Sequence, residues 1–296
     1  MKKMLVTLAL AINAFAATPR ESMIVDAAWL QKHLHDPGLV LLQVGDQESF
    51  EAGHIPGARA ISTGHEVAIH ESPDGLYMQM PEPEDLHKKL EALGISDHSR
   101  IVAYYAKDWL SPTTRLIFTL DYAGLGTQTV LLDGGLPAWT RAGGAVTKDI
   151  PAQKPGKLSP LKIKPLIADA ATVRSHIAAK GYRIIDGRAA KFYQGRDSTG
   201  DHDNKARAGH IPSAGNIPFT DIVDDDNFVK PSGELLAMFN KAGVKPHDTI
   251  IGYCHIGMQA TAVLFAARML GHPVLLYDGS FQDWSRHASY PVELPK

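Results

Sequence analysis

Thr249-Ile250-Ile251-Gly252-Tyr253-Cys254-His255-Ile256-Gly257-Met258-Gln259 runs directly into Ala260-Thr261-Ala262-Val263-Leu264-Phe265-Ala266-Ala267-Arg268. The apolar, β-branched opening reads as a buried strand, and the alanine-rich continuation reads as a helix. Between them, Cys254 to Gln259 form a six-residue loop carrying Gly257. Strand, tight loop and helix in that order place Cys254 at the carboxyl end of a parallel strand, where α/β sheets bind their ligands. It is the only cysteine in the chain. Amides of the loop and of the first helical turn would converge on its sulfur, and the helix dipole favours an anion there. Such surroundings lower a thiol pKa, so the expectation is a reactive thiolate rather than a small buried hydrophobe.

Working outward, the chain repeats itself. Leu41-Leu42-Gln43-Val44-Gly45-Asp46 followed by Gly53-His54-Ile55-Pro56 is matched by Arg183-Ile184-Ile185-Asp186-Gly187-Arg188 followed by Gly209-His210-Ile211-Pro212. Arg100-Ile101-Val102-Ala103-Tyr104-Tyr105 then matches Thr249 to Cys254, and Leu131-Leu132-Asp133-Gly134 with Trp139 matches Leu276-Tyr277-Asp278-Gly279 with Trp284. Landmarks kept in one order signal a duplicated domain. Each half alternates short apolar runs with helical patterns at 27–35 and 84–93 in the first and at 170–179 and 234–242 in the second, those at 84–93 and 234–242 ending at Gly94 and Gly243. That alternation predicts a doubly wound parallel sheet in each half, an α/β fold. The expected domains are 23–147 and 166–296, joined by a Pro- and Lys-rich linker over 148–165. Tyr105 stands where the second half has Cys254, so the first half is expected to be non-catalytic and to support the second.

With 296 residues, a net charge of −2 and 44% hydrophobic residues, the chain is a globular protein with no electrostatic case for nucleic acid. Its start differs in kind. Met1-Lys2-Lys3, an apolar run to Phe15 and Ala14-Phe15-Ala16 follow the layout of a secretory signal peptide over 1–16, too short for a comfortable membrane span. The expected location is periplasmic or secreted, with no membrane attachment after cleavage. A lone cysteine in an oxidising compartment has no partner for an intrachain disulfide, which fits a sulfur kept for chemistry.

Taken together, these residues resemble the rhodanese family, specifically its tandem two-domain thiosulfate sulfurtransferases. The resemblance runs from about Met23 to Trp284 and rests on the two Gly-His-Ile-Pro segments, Asp186-Gly187-Arg188, the Cys254–Gln259 loop, and Val274 to Trp284, where Asp283 replaces the usual Glu. It implies two tandem rhodanese-like domains and transfer of a sulfane sulfur from a small-molecule donor to a small-molecule acceptor through a Cys254 persulfide. No metal or organic cofactor is implied. His255, Ile256, Gly257, Met258 and Gln259 would cradle the donor, Arg188 would grip its anionic end, and Asp186 would support the loops. A sulfur-acceptor protein is a further partner class.

His255 and Ile256 are neither the basic residues usual after the cysteine in thiosulfate-specific relatives nor the small ones of mercaptopyruvate-specific relatives. Thiosulfate is the first reading; 3-mercaptopyruvate, polysulfide, or a sulfur carrier without turnover are the alternatives. A cysteine phosphatase would need an arginine six residues after the cysteine, where Ala260 stands. A metal site has no support in ligand spacing at Cys254-His255 or at His33 and His35.

Overall fold

The structure is a computed structural model that describes residues 19–62, 68–107, 110–150, 152, 154–198 and 207–294. The expected signal peptide, residues 1–16, lies outside the described residues. The first half contains β1 (Ile24–Val25), α1 (Ala27–His33), β2 (Leu39–Val44), α2 (Gln47–Ala52), β3 (Arg59–Ile61), β4 (Ile69–Glu71), β5 (Tyr77–Gln79), α3 (Pro83–Ala92), β6 (Arg100–Tyr105), α4 (Leu110–Tyr122), β7 (Thr129–Leu132) and α5 (Gly135–Arg141). The second contains β8 (Ile167–Ala168), α6 (Ala170–Ser175), β9 (Tyr182–Asp186), α7 (Ala190–Tyr193), β10 (Gly215–Asn216), α8 (Ser232–Lys241), β11 (Thr249–Tyr253), α9 (Ala260–Met269), β12 (Val274–Tyr277) and α10 (Ser280–Arg286).

Each half builds a five-stranded parallel sheet, ordered β1-β7-β6-β2-β3 and β8-β12-β11-β9-β10. The orders correspond strand for strand, which is the duplication read from the sequence. The central strands are apolar on both faces because helices cover both. On β6, Ile101, Ala103 and Tyr105 enter one core while Val102 and Tyr104 enter another. The first of these cores is shared between the halves: it continues through Leu116 and Leu120 of α4 to Val263, Phe265 and Ala267 of α9. The two halves are therefore packed through apolar helix faces rather than tethered loosely.

Local chemistry explains the recurrent motifs. Asp26, Asp46 and Asp169 cap α1, α2 and α6 by accepting from Trp29 N, Ser49 N and Thr172 N. The Gly-His-Ile-Pro segments are scaffolding. His54 Nδ1 lies 2.9 Å from Phe50 O and His210 Nδ1 lies 2.8 Å from Tyr193 O. Ile55 N donates to Tyr104 Oη and Ile211 N donates to Tyr253 Oη, each at 3.1 Å. Trp139 and Trp284 close each half, donating to Ala145 O and Pro291 O.

The segment 148–165 forms no helix or strand among its described residues and lies along the first half. Gly156 N donates to Glu91 O, Ser159 N donates to Asp97 Oδ1, and the Lys164 ammonium meets Asp121 at 2.7 Å. The antiparallel pair β4–β5 belongs to the first half alone, with no counterpart among the described residues of the second.

Candidate active site

The second sheet delivers Cys254 one residue beyond β11, and α9 begins at Ala260. The Cys254 amide donates to Ser280 Oγ at 3.2 Å, and its carbonyl accepts from Phe281 N at 3.0 Å. Both ends of the residue are thus fixed to the start of α10. Gly257 turns the loop with φ +86°, a left-handed conformation open to glycine. The turn brings the amides of Ile256, Gly257 and Ala260 onto the cysteine sulfur. Gly187, after β9, lets the neighbouring strand end approach: a Cβ there would stand 3.2 Å from Ala260 Cα.

The sulfur is fully enclosed. Burial pushes the Cys254 thiol up; the amides of Ala260, Ile256 and Gly257 pull it down without overcoming that, and the Asp186 charge adds to the rise. This corrects the sequence expectation of a depressed thiol pKa. Loop amides and a helix N-terminus were foreseen correctly, but the desolvation that opposes them is a property of packing. The donors remain in place for an anion that develops on the sulfur during reaction. Alkylation of the native protein followed against pH should therefore give an inflection above the ordinary thiol value of about 8.5. An inflection below that value would show that the amides outweigh the burial.

Arg188 is held otherwise than the resemblance implies. Its guanidinium was expected on the substrate; it is instead turned to Asp186 and nearly fully buried. Nε donates to Asp186 Oδ1 and Oδ2 at 3.0 and 3.1 Å, and Nη2 donates to Asp186 Oδ2 at 2.6 Å and to Gly209 O at 2.7 Å. The plane packs over Phe281 and Tyr253, 4.0 and 5.7 Å from the ring centroids. Burial disfavours its charge, but the Asp186 charge and hydrogen bonds outweigh that and raise the Arg188 pKa. Asp186, the expected support of the loops, also accepts from Arg188 N at 2.9 Å, and its carbonyl accepts from Asn216 Nδ2.

The other expected residues are in the loop, and their side chains divide by surroundings. The His255 ring is buried and meets the edge of Phe192 with centroids 4.5 Å apart. Ile256 packs with Ala68 and Met78 of the first half, and half-buried Tyr77 and Met258 border that cluster. Gln259 is half-buried, and its Oε1 is enclosed without a hydrogen-bond partner among the described residues.

Sequence reading did not anticipate how much of this site the first half supplies. Tyr77 N donates to Gln282 Oε1 at 3.0 Å while Gln282 Nε2 donates to Tyr77 O at 2.9 Å, an amide imitating a strand partner. Arg286 donates to the carbonyls of Asp74 and Gly75 at the hairpin tip. Arg115, from α4, reaches Gly257 and Asp278. The only available hint was one arginine in the otherwise uncharged stretch Leu110 to Leu120. In the first half itself, Tyr105 fills the place of the thiol, buried and donating to Asn227 O at 2.6 Å.

The chain is similar to known proteins in sequence and in fold. The Rhodanese-like domain family matches residues 26–142 and 169–287. The chain is 30% identical to the sulfur carrier protein TtuD of Thermus thermophilus, over 91% of this chain and 96% of that protein. It is 29% identical to a putative thiosulfate sulfurtransferase of Saccharopolyspora erythraea, over 94% and 98%, and 30% identical to a probable 3-mercaptopyruvate sulfurtransferase of Pseudomonas aeruginosa, over 82% and 85%. In fold, it resembles the solved anaerobic ergothioneine biosynthesis enzyme from Chlorobium limicola in complex with trimethyl histidine. The TM-score is 0.82 at 23% identity, covering 94% of this chain and 71% of that one.

Proposed function

Because this chain belongs to the rhodanese-like family, we propose that it moves a sulfane sulfur from thiosulfate to a thiophilic acceptor through a persulfide on Cys254. The observation that carries the reading is the convergence of the Ile256, Gly257 and Ala260 amides on one sulfur at the start of α9. The thiolate attacks the outer sulfur of thiosulfate, the S–S bond of the donor breaks, and sulfite leaves with the electron pair. Cyanide or a thiol then attacks the terminal sulfur of the persulfide and returns the Cys254 thiolate. Each step places negative charge on sulfur, and amides already oriented need no rearrangement to receive it. Export of the mature chain, expected from residues 1–16, is part of this proposal.

Thiosulfate as donor is supported by the names of several relatives. A 3-mercaptopyruvate donor is the second reading, favoured by the loop itself, whose Ile256 packs into an apolar cluster and offers no charge to a dianion. The test is intact mass after incubation with thiosulfate, 3-mercaptopyruvate or polysulfide, followed by cyanide. One added sulfur atom from thiosulfate, discharged as thiocyanate with turnover, is expected. A mass increase only from 3-mercaptopyruvate would replace the donor, and no increase from any of them would end the sulfur-transfer reading.

A further inference from the structure

We infer that Arg115, carried by the half that has no thiol, is a positioning residue for the Cys254 loop; the inference rests on the sulfur-transfer reading above. Arg115 lies within α4 with its side chain completely enclosed. Nη1 donates to Gly257 O at 3.1 Å and to Asp278 Oδ1 at 2.8 Å, and Nη2 donates to Met78 O at 2.7 Å. One guanidinium thus ties together the thiol loop, the turn after β12 and the hairpin of the first half. Asp278 is held from the same side: its Oδ2 accepts from Met80 N at 2.6 Å and its carbonyl from Gln79 Nε2 at 3.2 Å.

Gly257 is where this grip matters. Its amide serves the Cys254 sulfur while its carbonyl serves Arg115. The two contacts hold φ and ψ of the residue least able to hold itself, since glycine has no side chain to restrict either. The fit leaves little slack: a Cβ on Gly257 would lie 2.7 Å from Asp278 O and 3.3 Å from Arg115 Nη1. Asp278 balances the charge of Arg115, so the arginine acts by placing the loop amides and not as a free cation facing the donor. A planar fork can reach three acceptors at once, whereas a lysine ammonium on a flexible stem cannot fix the same geometry. The catalytic competence of the second half thereby depends on docking of the first.

The test compares Arg115→Met and Arg115→Lys with the parent in the full chain, well below each protein's unfolding temperature. Both sulfur-transfer kinetics and the pH dependence of Cys254 alkylation are read. Deleting one preorganised anion donor outright costs about 10²–10³ in kcat, so donors that stay but lose their anchor should cost about tenfold in the Met variant. KM should move less than about threefold, the signature of an interaction that matters in the transition state. The alkylation inflection should fall back toward about 8.5, because a loosened loop loses both its burial and its amides. Arg115→Lys should recover part of kcat. An arginine that merely stabilises the interface would lower the unfolding temperature and leave kcat and the inflection at parental values, which would overturn the inference. If the Met variant does not fold, the Lys variant decides, and parental kcat with a parental inflection overturns it equally. If the parent transfers no sulfur from any donor, the functional reading fails by itself, and the alkylation profiles still report whether Arg115 places the loop.

Discussion

Cys254→Ser is expected to reduce sulfur transfer below detection while leaving the chain folded. Serine cannot form a persulfide, so the covalent intermediate is lost and not merely slowed. The fold survives because of what surrounds the site. Ile256, Gly257 and Ala260 turn their amides to position 254, and a serine hydroxyl remains an acceptor for them. Leaving buried donors without a partner would cost about 1–3 kcal/mol, and serine largely avoids that cost. Intact mass after thiosulfate should show one added sulfur in the parent and none in the variant, with unfolding midpoints close together. Undiminished turnover in the serine variant would remove Cys254 from the chemistry and with it the proposed function.

The largest expected loss of stability is at Arg188. The Arg188–Asp186 pair is buried on both sides, with Nη2 and Oδ2 2.6 Å apart. Arg188→Ala strips the partner from an enclosed carboxylate, opens space against Phe281 and Tyr253, and orphans Gly209 O. Breaking a buried pair by removing one member costs about 3–5 kcal/mol, chiefly from the charge left behind. Urea unfolding of Arg188→Ala should show a loss of that size. The double variant Asp186→Asn, Arg188→Met should recover much of it, because no charge is then left unpaired. A stability loss under about 1 kcal/mol, together with a tenfold rise in KM for thiosulfate, would instead return Arg188 to the substrate.

These two residues show what was legible in the sequence and what was not. Chain order and periodicity were enough for the duplication and for the strand-loop-helix around Cys254. Each of these is a matter of which residue follows which: β-branched runs make strands, and Gly94 and Gly243 end helices at positive φ. The structure returns that reading as two sheets with corresponding strand orders. The Gly-His-Ile-Pro segments, landmarks of that duplication, prove to be scaffolding, their histidines bonded to backbone in the same half.

What depends on contacts between distant residues could be decided only by the tertiary structure. Asp186-Gly187-Arg188 looks the same in sequence whether the arginine is free or paired with its own aspartate, and the pairing is seen only once the guanidinium packs against Phe281 and Tyr253. The loop amides that favour a thiolate are local, but the burial that opposes them comes from elements brought in from elsewhere, so the net direction at Cys254 could not be read from its neighbours. Arg115 and Gly257 stand 142 positions apart. Nothing along the chain links them, because the bond between them exists only once two separately patterned halves have docked. Order along the chain was enough to determine the scaffold and the place of Cys254 in it; the environment of that thiol was decided by tertiary packing, since desolvation and ion pairing depend on proximity in space and not on order along the chain.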